Sequence, residues 1–362
     1  MDITRKSPSS LILVSVLFFL PILVCAHIGG KLSALSVVFR PDQSTGNHQL
    51  VDFHSNFWVN LHHFLYEEAV VTSPSNGKTH DAVTELSADK GILAVLTIDE
   101  QKEWKDALSY YRTNLVDRDL LFDDRMVATK NRLEALENEA ALHDSGLDAP
   151  LEAVLQRAAP IYRAHWWPEH DRANRDWIAK MSSLVRQYGD RLATSIAGAY
   201  DTQWPASPIR VDVVAYANWA GAYTTLDPTR VTISSSGARN QSLAGLETVF
   251  HESSHALVQN VSDAIAQECA ARHVVLPRRD LWHAVLFFTA GYYLNQLVPD
   301  YTPYADQNGL WTRAWPMYRA AIVNDWQAHL EGKTTLHEAI SRLVADVGAP
   351  AANGPEKSPA SH

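Results

Sequence analysis

The chain has 362 residues, 46% of them hydrophobic and 20% charged, a composition typical of a soluble globular protein long enough for two domains. Its formal net charge of −10 argues against a nucleic-acid-binding protein and against binding to anionic membrane surfaces. Only two cysteines are present, Cys25 and Cys269, so disulfides cannot dominate the stability of the fold.

Residues 1–26 are predicted to form a signal peptide. Arg5 and Lys6 precede an apolar run from Leu11 to Ala26, which ends in a small residue suited to cleavage and is short for a membrane span. An uncleaved N-terminal anchor is the alternative. Cleavage would change the formal charge from −10 to −11 and leave Cys269 without a partner in its own chain. We therefore expect a secreted or periplasmic protein with no membrane span after signal removal.

Residues 27–205 are predicted to form an all-helical domain, because glycines are few and apolar residues recur with helical spacing. The predicted helices are Phe57–Val71, Asp99–Leu115, Leu120–Leu142, Pro150–Tyr162 and Asn174–Tyr200. Two clusters combine histidine with aromatic residues: His54 with His62 and His63, and the segment 165–171. Each could line a cleft, although packing at helix junctions is the favoured interpretation.

The prolines of Trp204-Pro205-Ala-Ser-Pro208 mark a domain boundary, and residues 206–347 are predicted to form a second domain. Ile209–Tyr216 and Arg230–Ser234 alternate and are rich in β-branched residues, as strands are. Helices are predicted from Ser242 to about Gln259, from near Asp263, from near Asp280, over Leu310–His329 and over Thr335–Val347. Residues 348–362 are predicted to be a disordered tail. The expected fold class is mainly α, with α+β character.

The segment Thr248–Leu257 contains the motif His-Glu-x-x-His. His251 and His255 are four residues apart and share a helix face, so both can bind one metal ion. Glu252 is placed to take a proton from water at that ion. Since three fixed letters also arise by chance among sixteen histidines, the surroundings matter. Leu246, Phe250 and other apolar residues form a stripe opposite the histidines, which favours a buried ligand helix over an exposed one.

A catalytic zinc ion needs a third protein ligand and an open position for water. Asp263, Glu268 and His273 are the downstream candidates. If the motif helix ends near Gln259 and an antiparallel helix starts near Asp263, the rise of about 1.5 Å per residue brings Glu268 level with the histidines. The same geometry leaves Asp263 at the turn and carries His273 too far, so it favours Glu268.

The motif and the segment Ala264–Glu268 resemble the gluzincin clan of zinc metallopeptidases. The resemblance covers about residues 209–295 and implies a zincin-like catalytic domain with a small antiparallel sheet and active-site helices. It implies one Zn²⁺ held by His251, His255 and Glu268, and an edge strand at Gly221–Thr225 where Ala222 and Tyr223 bind peptide. Two features depart from the clan: the interval from His255 to Glu268 is short, and Arg272 stands where an acidic residue is common. The metzincin pattern fails because Val261 occupies its third histidine position.

His283 and Tyr293 are further catalytic candidates as donors to a developing oxyanion. They are ten residues apart on the predicted third helix, a little under three turns, so both could face one cleft. A histidine beside Trp282 is also typical of core packing, so that interpretation stays open.

The sequence thus predicts an exported zinc metallopeptidase that acts on a peptide or protein substrate. Hydrolysis of another acyl or amide bond would use the same residues, and a non-catalytic exported binding protein is the alternative from another class. A di-iron bundle would need a second Glu-x-x-His element, which the chain lacks.

Overall fold

A computed structural model describes residues 49–72, 95–136, 138, 141–142 and 145–350. The predicted signal peptide and residues 351–362 of the predicted tail lie outside the described residues. The strands are β1 (Val51–His54), β2 (Ile209–Val214), β3 (Ala222–Thr225), β4 (Arg230–Ser234), β5 (Val274–Val275) and β6 (Ala349–Pro350). The longer helices are α1 (Phe57–Val71), α2 (Ile98–Asn114), α3 (Asp124–Ala135), α4 (Ala149–His165), α5 (Trp167–Ala199), α6 (Ser242–Ser254), α7 (Gln259–Arg272) and α8 (Leu281–Leu297).

Short helical pieces follow α8. They are α9 (Tyr304–Gln307), α10 (Leu310–Arg313), α11 (Arg319–Ala321), a π turn (Ile322–Trp326) and α12 (Gln327–Leu330), before the longer α13 (Leu336–Val347). The single helix predicted over Leu310–His329 is therefore wrong. Pro316 lies between α10 and α11 and lacks the amide hydrogen that a continuous helix would use. β6 pairs with β5, so regular structure continues to Pro350, inside the segment predicted as a tail.

The fold is mainly helical with a small mixed sheet, in the order β1-β2-β4-β3. β1 and β4 pair parallel with β2, and only β3 runs antiparallel to its neighbour. The expected antiparallel sheet is therefore wrong as a whole, although the edge strand at Gly221–Thr225 is confirmed as β3. After β2 the chain forms β3 at the edge of the sheet and then turns back to form β4 between β3 and β2. β4 is therefore antiparallel to β3 and parallel to β2. β1 was also missed, since its four residues precede a strong helical pattern.

Both faces of this sheet are covered. Val211, Val213 and Ile233 face a core that includes residues of α5, α6 and α8. Val214 and Tyr223 face a second core built with α1 to α4. The sheet therefore joins the two halves that the sequence divides at residue 205, because β1 comes from the first and β2 to β4 from the second.

Asn60 of α1 connects three elements through its side chain. Its Nδ2 donates to the carbonyl of Asn56 (2.8 Å) and to that of Val213 (3.1 Å). Its Oδ1 accepts from the backbone N–H of Ala215 (2.9 Å) and from Asn174 Nδ2 (3.1 Å). The side chain is buried and all four of its hydrogen bonds are made, so α1, β2 and α5 are held in one relative position.

The helical half also contains a buried ion pair. Lys130 Nζ lies 2.6 Å from Glu134 Oε1, and Arg230 of β4 lies 3.3 Å from Glu134 Oε2. Burial raises the pKa of Glu134, and Asp212 of β2 adds to the rise, while Lys130 opposes it. This network ties α3 to the sheet.

The two histidine clusters of the helical half have structural partners. Trp166 stacks on Trp104 at 4.5 Å between ring centroids, and His170 Nδ1 lies 2.8 Å from the Tyr162 hydroxyl. His54 contacts Asp52, and His62 contacts Tyr111. These contacts support packing at helix junctions over a cleft wall. Among the described residues, no helix is both long and apolar enough to cross a membrane.

Replacing Asn60 with alanine is expected to lower the free energy of unfolding by about 2–4 kcal/mol, because several buried polar groups lose their partner at once. Chemical denaturation of the wild type and the variant measures this. Asn114→Ala is the matched control: its Nδ2 bonds the Tyr110 carbonyl on an exposed surface, so the loss should stay below about 0.5 kcal/mol. Equal losses in the two variants would contradict the role assigned to Asn60.

Candidate metal centre

The helix that carries the motif is buried on all sides. α6 packs against α5, α8, β3 and β4, and every residue from Gly245 to Ser254 is buried. The exposed-helix alternative therefore does not apply. α6 ends earlier than predicted because the Ser254 hydroxyl donates to the His251 carbonyl (2.7 Å), and the amide of His255 bonds Glu252 O instead (3.2 Å). His255 thus occupies the C-cap position of a tightened last turn.

Three histidines converge at this turn. The side chains of His251, His255 and His283 each offer a nitrogen, and these atoms all lie within 4.8 Å of one another. His283 Nε2 lies 3.2 Å from His251 Nε2. Two nitrogen ligands of a tetrahedral zinc ion lie roughly 3.4 Å apart, given Zn–N bonds of about 2.0–2.1 Å. The spacing and the donor type therefore fit Zn²⁺.

All three imidazoles are biased toward the neutral form, which binds metal. Burial lowers the pKa of His251 well below its usual value, and the neighbouring His283 and His255 lower it further. Burial lowers the pKa of His255 to about 3 and that of His283 to about 4. Among the described residues, none offers a hydrogen-bond partner to the buried His251 Nδ1, the atom at which an outer support of a metal ligand would bind.

Glu252 lies beside this cluster. Its Oε2 is 3.8 Å from His255 Nε2 and accepts a hydrogen bond from Thr224 Oγ1 of β3 at 2.7 Å. Thr224 Oγ1 also lies 2.9 Å from the Glu252 carbonyl oxygen. Burial raises the pKa of Glu252 to about 7, and the Thr224 hydroxyl opposes that rise. The Glu252 carboxyl group therefore lies beside the histidines, bonded to β3, with its pKa raised toward neutrality.

Aromatic rings enclose the cluster. Phe287 stacks on His251 with ring centroids 3.7 Å apart, while Trp282 meets His255 and Trp315 meets His283 edge-on. Tyr304 stacks on Phe287, and its hydroxyl lies next to Arg239. Burial and Glu252 raise the pKa of Tyr304, whereas Arg239 lowers it. The phenol thus stays protonated and can donate a hydrogen bond near Glu252.

The three residues weighed as a third ligand all lie on or next to α7, and none belongs to the cluster. Glu268 Oε1 accepts from Arg272 Nε (2.5 Å) and from the Ser341 hydroxyl (3.0 Å). Asp263 is exposed and bonded to Gln259, and His273 is exposed at the end of α7. The selection of Glu268 assumed a motif helix that reaches Gln259. Because α6 ends at Ser254, α7 turns Val261 and Ile265 inward, and His283 of α8 takes the third place.

The other predicted site residues lie in four different places. His283, expected as an oxyanion donor, is instead among the candidate ligands. Tyr293 lines a separate cavity of about 270 Å³ with Arg191, Ser195 and Tyr292, because ten residues of helix carry it about 15 Å from His283. Tyr223 points to the opposite face of the sheet, toward His63. Ala222 remains at the edge strand.

Thr224, Tyr304 and Arg239 are neighbours of the site that sequence reasoning missed. Thr224 could have been found from strand alternation, since residues 223 and 225 share one face and 224 takes the other. Tyr304 begins the four-residue helix α9, and Arg239 lies in a 3₁₀ turn (Ala238–Asn240), so both elements are too short for a periodic pattern to mark them. Comparison of the chain with family models, curated proteins and solved structures finds no significant match.

Glu247, one turn before His251, anchors the loop that carries Tyr304. Its Oε2 accepts from the Tyr301 hydroxyl (2.6 Å) and from the Tyr304 amide (2.8 Å). Glu247 also packs closely against Gly291 of α8. A Cβ at Gly291 would lie 2.9 Å from Glu247 Oε1 and 2.7 Å from Pro303 Cβ. Burial raises the pKa of Glu247 to about 7, although both hydrogen bonds oppose the rise.

This shift predicts a pH-dependent stability. Since the folded-state pKa lies above the unfolded value, Glu247 disfavours folding increasingly as the pH rises from about 4.5 to about 7, by an amount on the order of 3 kcal/mol. Glu247→Gln mimics the neutral carboxyl and should flatten the fall in unfolding free energy over that range. Denaturation at several pH values measures the difference between the two proteins. Parallel curves would refute the assignment.

Proposed function

We propose that this chain is an exported zinc-dependent hydrolase of the metallopeptidase type. The observation that carries the proposal is the convergence of His251, His255 and His283 beside a buried Glu252. Three imidazoles can be the protein ligands of a catalytic zinc site that keeps one position open for water, and the nearby carboxylate can take a proton from that water. Export is proposed from the predicted signal peptide over residues 1–26.

Zinc, when bound, supplies Lewis acidity and lowers the pKa of a coordinated water to about 7. Glu252 accepts the proton of the attacking water and delivers it to the leaving amine. Thr224 holds the carboxylate of Glu252 through its hydroxyl. Tyr304, with Arg239 beside it, offers the hydrogen-bond donor for the developing oxyanion, in place of Tyr293.

A peptide substrate is supported by the edge of the sheet. Ser234 N donates to Gly221 O, and the register then pairs Tyr223 with Thr232 and Thr225 with Arg230 through hydrogen bonds. The backbone N–H and C=O groups of Ala222 and Thr224 therefore point away from β4. An extended peptide can pair with these groups as an added strand. It would then lie next to Thr224, whose hydroxyl donates a hydrogen bond to Glu252. A zincin-like fold, and a gluzincin-like binding of the peptide along the edge strand, remain part of the proposal.

Metal content of the purified protein tests the ligand set. The wild type should carry about one zinc per chain, and His283→Ala should weaken zinc binding by more than about 100-fold, because a ligand is lost. Glu268→Gln is the control and should keep the metal. Zinc loss in Glu268→Gln with retention in His283→Ala would restore the sequence-based ligand set, and metal-free wild type would refute the zinc site.

Peptide cleavage tests the role of Glu252. Glu252→Gln should keep zinc while kcat on a peptide library falls by roughly 10³-fold, because the proton acceptor is removed with little change in shape. Zinc content and cleavage are measured on the same samples. An unchanged kcat with bound zinc would make the metal structural and the chain non-catalytic.

A further inference from the structure

Tyr223, predicted to bind substrate, is instead buried against the helical half. Its hydroxyl lies 2.8 Å from His63 Nε2 of α1, and the two rings are nearly parallel. Both side chains are almost fully buried, His63 at 0% and Tyr223 at 2% exposure. This contact joins the first helix to the edge strand of the sheet, on the face opposite the three histidines.

The direction of this hydrogen bond follows from the surroundings of His63. His63 Nδ1 lies 2.8 Å from the Val59 carbonyl oxygen, which can only accept. Nδ1 therefore carries the hydrogen, Nε2 has the lone pair, and the Tyr223 hydroxyl donates to it. Burial lowers the pKa of His63 to about 4, so this neutral tautomer persists at physiological pH. The Tyr223 hydroxyl of β3 therefore always donates this hydrogen bond, and His63 of α1 always accepts it.

The next residue in β3 carries this constraint to the site. Successive side chains of a strand project to opposite faces, so fixing Tyr223 against α1 fixes the rotation of Thr224 toward α6. The Thr224 hydroxyl has one hydrogen and lies 2.7 Å from Glu252 Oε2 and 2.9 Å from the Glu252 carbonyl. The hydroxyl hydrogen can turn to either acceptor, and a rotation of β3 would change both distances. Displacements of about 1 Å at catalytic groups can cost 100-fold in rate.

We propose that His63 and Tyr223 are positioning residues that hold Thr224, and through it Glu252, in the geometry for hydrolysis. This inference rests on the proposed function. It also gives the helical half a role: α1 is part of the support of the hydrolytic site rather than a separate binding module.

Tyr223→Phe tests the proposal by removing one hydroxyl. We expect kcat to fall about tenfold with little change in KM and with zinc retained, because Glu252 is misplaced while the ligands stay. Tyr111→Phe is a matched control. Tyr111 makes the same kind of buried bond, 2.8 Å from Nδ1 of the adjacent His62, but not to β3. It should lose similar stability and keep its kcat, whereas equal losses of kcat would overturn the proposal.

A double-mutant cycle separates positioning from general destabilisation. In a Thr224→Val background, Tyr223→Phe should change kcat by less than about twofold, since the group it positions is gone. His63→Leu should resemble Tyr223→Phe, and His63→Gln, whose amide oxygen can accept the Tyr223 hydroxyl, should recover most of the activity. The same tenfold loss in both backgrounds would overturn the proposal.

Hydrogen exchange decides the point without any hydrolysis. If the wild type binds zinc but cleaves no peptide, the proposed function fails, while the positioning of β3 is still measurable. Faster amide exchange across Ala222–Thr225 in Tyr223→Phe, and not in Tyr111→Phe, supports the inference. Unchanged exchange in this strand overturns it.

Discussion

The four-stranded sheet is covered on both faces, and the rest of the structure depends on that constraint. Several of its polar side chains are buried, and partners from the packing helices offset the cost of removing them from water. Asn60 accepts a hydrogen bond from the backbone of Ala215 at the end of β2, and His63 accepts one from Tyr223. Thr224 donates one to Glu252. These contacts set where α1 and α6 lie, and so where the motif helix presents its histidines.

The same constraint bears on the two buried carboxyl groups of α6, Glu247 and Glu252. The cost of burying Glu252 is reduced because the Thr224 hydroxyl donates a hydrogen bond to its carboxyl group. Burial also raises the pKa of this group toward neutrality. Glu247 follows the same principle one turn earlier, where it secures the loop of Tyr301 and Tyr304 over Phe287. Of these two buried acids on one helix, Glu252 lies beside the histidine cluster and Glu247 bonds the segment 301–304.

Local patterns predicted most of the longer helices and strands, but not β1, the interrupted segment 310–330 or the mutual arrangement of the elements. α1 and β4 have the predicted bounds, because Asn56 caps α1 with its side chain and Arg230–Ser234 alternates cleanly. The two motif histidines meet as their spacing requires. Glu268 was favoured by assuming where two helices turn, and the Ser254 hydroxyl, which ends α6 early, changes that turn. His283 comes from another helix, and only the tertiary packing of α8 against α6 brings it close.

The spacing of the cluster has an evolutionary consequence. Any homologue with the same centre should keep a histidine on its counterpart of α8 and a hydroxyl residue on its counterpart of β3, while the loops between these elements can change in length. It must also keep glycine at position 291, where α8 passes Glu247 too closely for a Cβ. Kinship among such proteins would be visible in these positions on the fold even after overall identity has been lost.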